Sequence, residues 1–249
     1  VVAPAELPVQ FAAFKQQQFR WAKGNLQCFL KLAGSILRAR LPVLTRVQAC
    51  LHLSYYAAHV VMLVMMLATL PLIWYGLLDQ WTLAFLGVAS LGLPLLYGIG
   101  QHALYGDWCK RLWALPVLIC LGAGLALNST AAALEAFLGV RSAFQRTPKY
   151  RIEGRQGVWR GRPYAIPIGN LLWGEILLTV YALLTVFAAV QRGNLSAIPF
   201  LLLYVSGFGL VSVLGVIESV KRSRPSPQAA QAMEGDCTRE GAESTEQSR

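Results

Sequence analysis

Long apolar stretches alternate with short basic ones along this chain. Five stretches lack or nearly lack charged side chains, and they cover residues 51–78, 81–100, 112–127, 171–190 and 195–216. A helix needs about 20 apolar residues to cross the hydrocarbon core of a bilayer. Four of the stretches are long enough, and the third is short. The pattern therefore predicts two transmembrane helical hairpins, over residues 51–101 and 170–217.

A different pattern precedes the first hairpin. Between residues 11 and 40, apolar side chains recur at spacings of three, four and seven, with Arg20, Lys23 and Lys31 roughly opposite them. This period is typical of an amphipathic helix. Because an apolar stretch follows immediately, we expect a helix over residues 11–48 that lies at the membrane surface rather than in the core of a soluble domain.

Composition and charge agree with a membrane protein. The 249 residues are 55% apolar and 14% charged, outside the usual range of soluble domains. The net charge of +10 would suit a nucleic-acid partner, but the basic residues flank the hairpins, whose tips carry only Asp79 and Arg192. This is the positive-inside asymmetry. We therefore predict a multi-pass protein of the inner or plasma membrane that contacts lipids and no nucleic acid, with its N-terminus, central loop and C-terminal tail in the cytoplasm.

The segments around the second hairpin have their own patterns. If residues 112–127 crossed the membrane, the following block over residues 141–169 would lie outside the cell with seven basic residues and Glu153 as its one acid. We therefore expect residues 112–138 to form an interfacial or re-entrant segment, although a crossing stays open. The block over residues 141–169 is also rich in glycine and proline, which predicts a mobile loop. The polar tail over residues 221–249 predicts disorder.

Metal and thiol chemistry find no support in the residue spacing. The five cysteines form no C-x-x-C pair, and the three histidines show no metal-ligand spacing with one another or with acids. We therefore predict neither a disulfide nor a zinc site. Glu175 stands one turn inside the fourth apolar stretch, where a carboxylate either lines a polar path or, being near the cytoplasmic end, snorkels or pairs with a loop arginine. Both alternatives stay open.

The segment from Gln17 to Trp21 carries the most informative motif. Gln17, Arg20 and Trp21 match Q-x-x-R-W. At helical spacing Gln17 and Trp21 lie one turn apart with Arg20 beside them, so an amide, a guanidinium and an indole can converge on one site. An indole offers a flat face to a sugar ring, while the amide and guanidinium bind hydroxyl groups or a diphosphate. The trio predicts a site for a polar polymer end, and anchoring of a surface helix by Trp21 and Phe19 is the alternative.

The N-terminal sequence resembles the processive family-2 glycosyltransferases, which include cellulose, hyaluronan and mannan synthases. In this family Q-x-x-R-W lines the acceptor site at the end of a cytosolic GT-A catalytic domain. The run A-P-A-E-L-P at residues 3–8, followed by Gln17 to Gly24, is similar to that end, and the chain opens with Val1 rather than Met. The resemblance therefore implies that residues 1–24 are the C-terminal remnant of a catalytic domain and that the chain is a fragment of a longer enzyme.

A second motif lies in the basic loop. Phe144, Thr147 and Lys149 are similar to the F-x-V-T-x-K gating loop of bacterial cellulose synthase, with Arg146 where that loop has valine. The order of acceptor motif, interfacial helix, two spans, interfacial segment, gating loop and two spans also agrees with this family. The resemblance covers roughly residues 1–220, and the two motifs together are more specific than either one alone.

The resemblance implies an inverting transfer of a sugar from a UDP- or GDP-sugar to a growing polysaccharide, which leaves through a channel between the membrane helices. In that scheme Gln17, Arg20 and Trp21 hold the acceptor and the diphosphate side of the donor, and Thr147 and Lys149 close over the nucleotide. The family's metal-binding aspartates and its general base precede these motifs. No D-x-D or T-E-D occurs in this chain. We therefore expect no catalytic or metal-binding residue in it, a divalent Mg or Mn ion only in the full-length enzyme, and no activity from the chain alone.

Together these predictions describe an all-α membrane protein with two transmembrane hairpins, interfacial amphipathic helices and a GT-A remnant at the N-terminus. Two other functions stay open. One is transfer to a lipid acceptor, which would give a glycolipid. The other, from a different class, is a non-enzymatic membrane transporter or channel subunit with a basic cytoplasmic loop. The residues present do not specify the donor sugar, the linkage, the oligomeric state or any accessory subunit.

Overall fold

The computed structural model describes residues 7–78, 91–142, 146–148 and 169–223. Within these ranges every regular element is helical. A 3₁₀ turn, Leu195–Ala197, directly precedes the last helix. The helices in chain order are α1 (Phe11–Arg38), α2 (Val43–Ser54), α3 (Ala57–Trp74), α4 (Gly92–Leu104), α5 (Trp108–Arg111), α6 (Ala114–Gly124), α7 (Ala126–Phe137), α8 (Leu171–Gln191) and α9 (Ile198–Ser223).

Three helical segments in the described part of the chain are long and apolar enough to cross a membrane. They are α3, α8 and Leu195–Arg222, which contains most of α9. The predictions of an all-α protein and of membrane-spanning helices are confirmed to that extent. Helices α8 and α9 form the second predicted hairpin. At its tip Gly193 has a φ of 74°, a left-handed conformation that favours glycine because it has no Cβ.

Helix α3 packs against this hairpin through apolar side chains and two tyrosine hydroxyl groups. Met66 of α3 is fully buried in the contact. The Tyr181 hydroxyl of α8 donates a hydrogen bond of 2.5 Å to the carbonyl oxygen of Leu67, and the Tyr204 hydroxyl of α9 donates one of 3.3 Å to the carbonyl oxygen of Met62. These bonds satisfy hydroxyl groups that would be costly to leave unpaired in an apolar bundle.

The amphipathic segment before the first span is two helices rather than the one predicted over residues 11–48. Helix α1 ends at Arg38, and Pro42 directly precedes α2. Proline lacks a backbone N–H and favours a helix start, which explains the break. Helix α2 has no buried residue and exposes large apolar side chains. An exposed apolar surface beside membrane spans is the arrangement expected at a lipid interface.

The predicted GT-A remnant over residues 1–24 is not supported as a separate unit. Residues 11–24 form the first half of α1, which continues without a break to Arg38, and the described residues contain no strand with which a catalytic-domain sheet would end. Residues 11–24 do not form a separate unit because the apolar positions of α1 keep one helical period from end to end.

Helices α5 to α7 form a bent segment beside α9. The part Trp108–Gly124 and the part Ala126–Phe137 are bent by 44° relative to each other, and together they are long and apolar enough for one further span or a re-entrant loop. The interfacial or re-entrant assignment of residues 112–138 therefore stays a prediction. The backbones of α6 and α9 touch at Gly124 and Gly207, where an added Cβ on Gly124 would lie 2.2 Å from the carbonyl oxygen of Gly207.

Some predicted segments lie wholly or partly outside the described residues. Of the stretch 81–100, the structure describes residues 91–100, which belong mostly to α4. Of the predicted loop over residues 141–169, it describes 141, 142, 146–148 and 169, so Phe144 and Lys149 fall outside it. Of the predicted tail, residues 221–223 are the end of α9.

Candidate functional site

The N-terminal end of α1 is held by two acidic side chains from the α8–α9 hairpin. Glu218 of α9 accepts a hydrogen bond of 2.9 Å from the backbone N–H of Ala12 and one of 3.3 Å from Nε2 of Gln10. The first N–H groups of a helix lack intrahelical partners and form its positive end, where a carboxylate is favourable. One turn further on, Lys15 makes an ion pair with Glu175 of α8.

Helix α7 holds the next part of α1 through polar contacts. Nδ2 of Asn128 donates a hydrogen bond of 3.1 Å to the carbonyl oxygen of Lys15. Two turns further along α1, Nζ of Lys23 donates bonds of 2.6 Å to Glu135 and 2.7 Å to the hydroxyl of Ser142, just after α7. Lys23 is 7% exposed, so its charge depends on these partners. Polar contacts from α7, α8 and α9 thus fix the orientation of α1.

Tyr56, in the turn between α2 and α3, packs against the middle of α1. Its ring is buried beside Ala22 and Leu26, and its hydroxyl donates a hydrogen bond of 3.3 Å to Oε1 of Gln18. Burial, followed by the contact with Tyr55, raises the pKa of the Tyr56 hydroxyl above its usual value. The hydroxyl therefore keeps its proton and its role as a donor at neutral pH.

One of the predicted trio contacts the predicted gating segment. Nη2 of Arg20 donates a hydrogen bond of 2.5 Å to Oγ1 of Thr147, although the two residues are 127 positions apart. Thr147 is half-buried. The structure therefore brings together a residue of the Q-x-x-R-W motif and a residue of the F-x-x-T-x-K segment. The positions of the two other predicted gating residues, Phe144 and Lys149, lie outside the described ranges.

The trio itself does not converge on a single cavity. Trp21 is 52% exposed. A cleft of about 720 Å³ lies beside α1 and is lined by Gln16, Arg20 and Lys23, whereas Gln17 and Trp21 are not among its lining residues. The helical turn places Gln17 and Trp21 on a neighbouring face, because successive residues are rotated by roughly 100°. Of the trio, only Arg20 faces both the cleft and the gating segment.

A smaller cavity lies on the other side of the contact between α1 and α7. Its volume is about 280 Å³, and its polar lining comes from α1, α7, α9 and the residue Ser142 after α7. Besides apolar groups, it contains the side chains of Lys15, Gln16, Asn128, Glu135, Ser142 and Glu218. The arrangement can bind hydroxyl-rich or charged groups, since hydrogen-bond donors, hydrogen-bond acceptors and charges of both signs line one small space.

Sequence reasoning missed the residues that fix the site. Lys15, Glu135 and Glu218 were not singled out, and Glu175 was assigned a loop arginine as its alternative partner, whereas its partner in the structure is Lys15 of α1. A signal was available. Glu175 and Glu218 stand near the ends of apolar spans, and a carboxylate in such a place needs a cationic or N–H partner.

No metal site is present in the part of the chain that the structure describes. None of its His, Cys, Asp and Glu side chains form a group of three or more that could hold an ion. The divalent ion that the resemblance implies therefore stays a prediction for a preceding domain, as does the expectation that this chain holds none.

Comparison with known proteins gave no match, neither to a protein-family model, nor to a curated protein, nor to a solved structure.

Proposed function

We propose that this chain is the membrane part of a glycosyltransferase that transfers a sugar from a nucleotide-sugar donor to a growing polysaccharide. The observation that carries the proposal is the hydrogen bond of 2.5 Å from Arg20 to Thr147. Each residue belongs to a motif that resembles the processive family-2 enzymes, and the two motifs are far apart in the chain. In a chain that only happened to contain both motifs, nothing would require them to meet at one end of the bundle.

In the proposed enzyme, α1 presents Gln17, Arg20 and Trp21 to the acceptor end and to the donor diphosphate. The exposed indole of Trp21 is free to stack on a sugar ring, and Arg20 supplies a charge that binds phosphate or hydroxyl oxygens. Thr147 attaches the loop to Arg20 through its hydroxyl group. Lys149 supplies a further positive charge when the loop closes over the nucleotide. The general base and the divalent metal belong to a preceding catalytic domain.

A lipid acceptor is the second candidate. Polymer transfer requires a channel between membrane helices, but α6 and α9 are in backbone contact at Gly124 and Gly207, and an added Cβ on Gly215 of α9 would lie 2.6 Å from the side chain of Leu172 of α8. These two interfaces are closed to a polysaccharide. A lipid acceptor needs no channel, because its tail stays in the bilayer while its head reaches the site.

The test uses the full reading frame, including whatever precedes Val1, expressed in membranes and supplied with radiolabelled UDP- or GDP-sugars. We expect Arg20→Ala and Trp21→Ala each to reduce incorporation about tenfold or more, which is the effect of losing roughly 1.4 kcal/mol of binding in the transition state. We expect Lys149→Ala to do the same. The label in alcohol-insoluble polymer and in the organic-solvent extract distinguishes a polysaccharide from a glycolipid.

The controls separate the site from the membrane helices. Trp173, 74% exposed on α8, lies outside the site, so Trp173→Ala matches Trp21→Ala and should keep full activity. In a double-mutant cycle, Arg20→Ala combined with Thr147→Val should cost less than the sum of the two single effects, because the residues share one bond. Unchanged synthesis in all the site variants, or a reading frame without an aspartate-bearing nucleotide-sugar domain, would favour a non-enzymatic transporter or channel subunit.

A further inference from the structure

The cleft beside α1 has a one-sided charge. It lies between the middle of α1 and the turn after α7, and its volume of about 720 Å³ is in the range of small-molecule sites. Among its described lining residues there is no Asp or Glu, and the basic ones are Arg20, Lys23, Lys31 and Arg141. Such a lining attracts an anion rather than a neutral or cationic ligand.

Two of these four cations have no partner among the described residues. Arg20 is bonded to Thr147, and the charge of Lys23 is compensated by Glu135. Lys31 and Arg141, by contrast, have no hydrogen bond or ion pair to any residue in the described ranges, and both are exposed. They are therefore the two charges that an incoming anion would meet, and they approach it from different elements.

Apolar side chains also line the cleft and continue beyond it. Phe19, Leu30 and Val140 also line it, and Leu30 and Val140 are 48% and 43% exposed. Beyond the cleft, the apolar surface continues along the end of α1 and onto α2, where Leu37 is 54% and Leu44 78% exposed. A water-soluble anion would make no favourable contact with these apolar side chains. An amphiphile with an anionic head and apolar tails matches both halves of the surface.

We propose that this cleft binds the headgroup of an anionic phospholipid of the surrounding membrane, with Lys31 and Arg141 on its phosphate. Arginine presents a planar fork of donors that matches phosphate oxygens, and lysine adds a mobile point charge. The amide of Gln27, which also lines the cleft, is a further donor for a polar headgroup. The proposal goes beyond the proposed glycosyl transfer and does not depend on it.

The experiment measures headgroup selectivity of the purified chain in a neutral detergent. A fluorescent short-chain phosphatidylglycerol is titrated, its anisotropy is followed, and phosphatidylcholine with the same tails serves as the neutral probe. We expect clear preference for phosphatidylglycerol. Because a basic residue near an anionic lipid changes its affinity by about fivefold, the double variant Lys31→Gln/Arg141→Gln should lose on the order of twentyfold for phosphatidylglycerol and nothing for phosphatidylcholine.

Two further variants and sodium pyrophosphate make the result decisive. The variant Arg38→Gln/Lys110→Gln removes the same charge from exposed positions outside the cleft and should keep wild-type affinity. The variant Lys31→Arg/Arg141→Lys keeps both charges and should retain most of the binding. The proposal is overturned by an equal loss in the control variant, by no preference between the two lipids, or by sodium pyrophosphate binding that needs Lys31 and Arg141 while phosphatidylglycerol does not bind. The activity tests use other variants, at Arg20 and Trp21, so failure of this proposal and failure of the proposed function are distinguishable.

Discussion

At the scale of single residues, the least expected feature is the ion pair between Lys15 and Glu175. Glu175 has no exposed surface and only one of its carboxylate oxygens has a partner among the described residues, while the Lys15 side chain is 15% exposed. Burying two charges costs much of what their attraction returns, so such a pair adds little net stability. It makes one position of α1 strongly preferred, however, because separating the partners would leave a buried carboxylate uncompensated.

The variant Lys15→Met tests this interpretation. We expect it to lower the free energy of unfolding by about 3–5 kcal/mol, the typical cost of leaving one member of a buried pair alone. The measurement is unfolding in mixed micelles of increasing SDS content.

The double variant Lys15→Met/Glu175→Gln should recover most of that loss, since a neutral amide tolerates the site better than an unpaired charge. Lys31→Met, at an exposed position of the same helix, is the matched control and should change stability little. If the double variant were as unstable as Lys15→Met, the loss would come from packing and not from charge.

At the scale of elements, close helix contacts rather than large apolar side chains join α6 to α9. Small residues at membrane helix interfaces let two backbones approach and gain van der Waals contact where lipid offers no hydrophobic driving force. Gly124 and Gly207 do this here: an added Cβ on either one would lie less than 3.0 Å from the backbone of the partner helix. Gly122, two positions from Gly124 on the same helix, has open space around it.

Gly124→Ala should therefore separate α6 from α9. We expect a loss of about 1–3 kcal/mol in SDS unfolding, because backbone atoms have to move to admit the methyl group.

Gly122→Ala adds the same methyl group to the same helix and should be neutral or slightly stabilising, since alanine favours the helix over glycine by up to about 1 kcal/mol. Equal effects of the two substitutions would show that the contact does not govern the stability of this interface.

At the scale of the whole molecule, the bundle has two different ends. At one end α1 lies across α7, α8 and α9. At the other, the guanidinium of Arg192 stands 5.2 Å from the ring centre of Trp74, next to a cleft of about 510 Å³. Helix α3 joins these ends, and its 18 residues span roughly 27 Å, about the thickness of a hydrocarbon core. An aromatic residue and a cation at such a level are typical of a membrane interface.

The two ends should be labelled from opposite sides of the membrane. Cys28 on α1 is exposed and serves as the probe of one end, and Leu195→Cys, at a position 64% exposed, serves as the probe of the other. The remaining cysteines are replaced by serine. We expect a membrane-impermeant maleimide to reach only Leu195→Cys in intact cells and to reach Cys28 after the membrane is opened. Labelling of both from outside would contradict the predicted cytoplasmic location of α1.

Some of this fold and site was accessible from the sequence. The amphipathic period of α1 and the apolar lengths of α3, α8 and α9 are local properties, so their helices follow from residues within one segment. The break at Pro42 was missed because the apolar period continues past it on both sides. The proximity of Arg20 to Thr147 was expected from a resemblance, whereas nothing in either segment alone indicates it.

The sequence by itself determined that the chain is helical, that several helices suit a membrane, and that α1 has a polar and an apolar face. The tertiary structure decided which polar groups meet. Lys15 pairs with Glu175, which is 160 positions away in the chain, and Lys23 pairs with Glu135, 112 positions away. The N–H of Ala12 bonds to Glu218, 206 positions away. The period of the apolar positions indicates which face of a helix is buried, but it does not indicate which other helix covers that face. The partner of a buried charge depends on how distant helices pack, and that is a property of the whole chain.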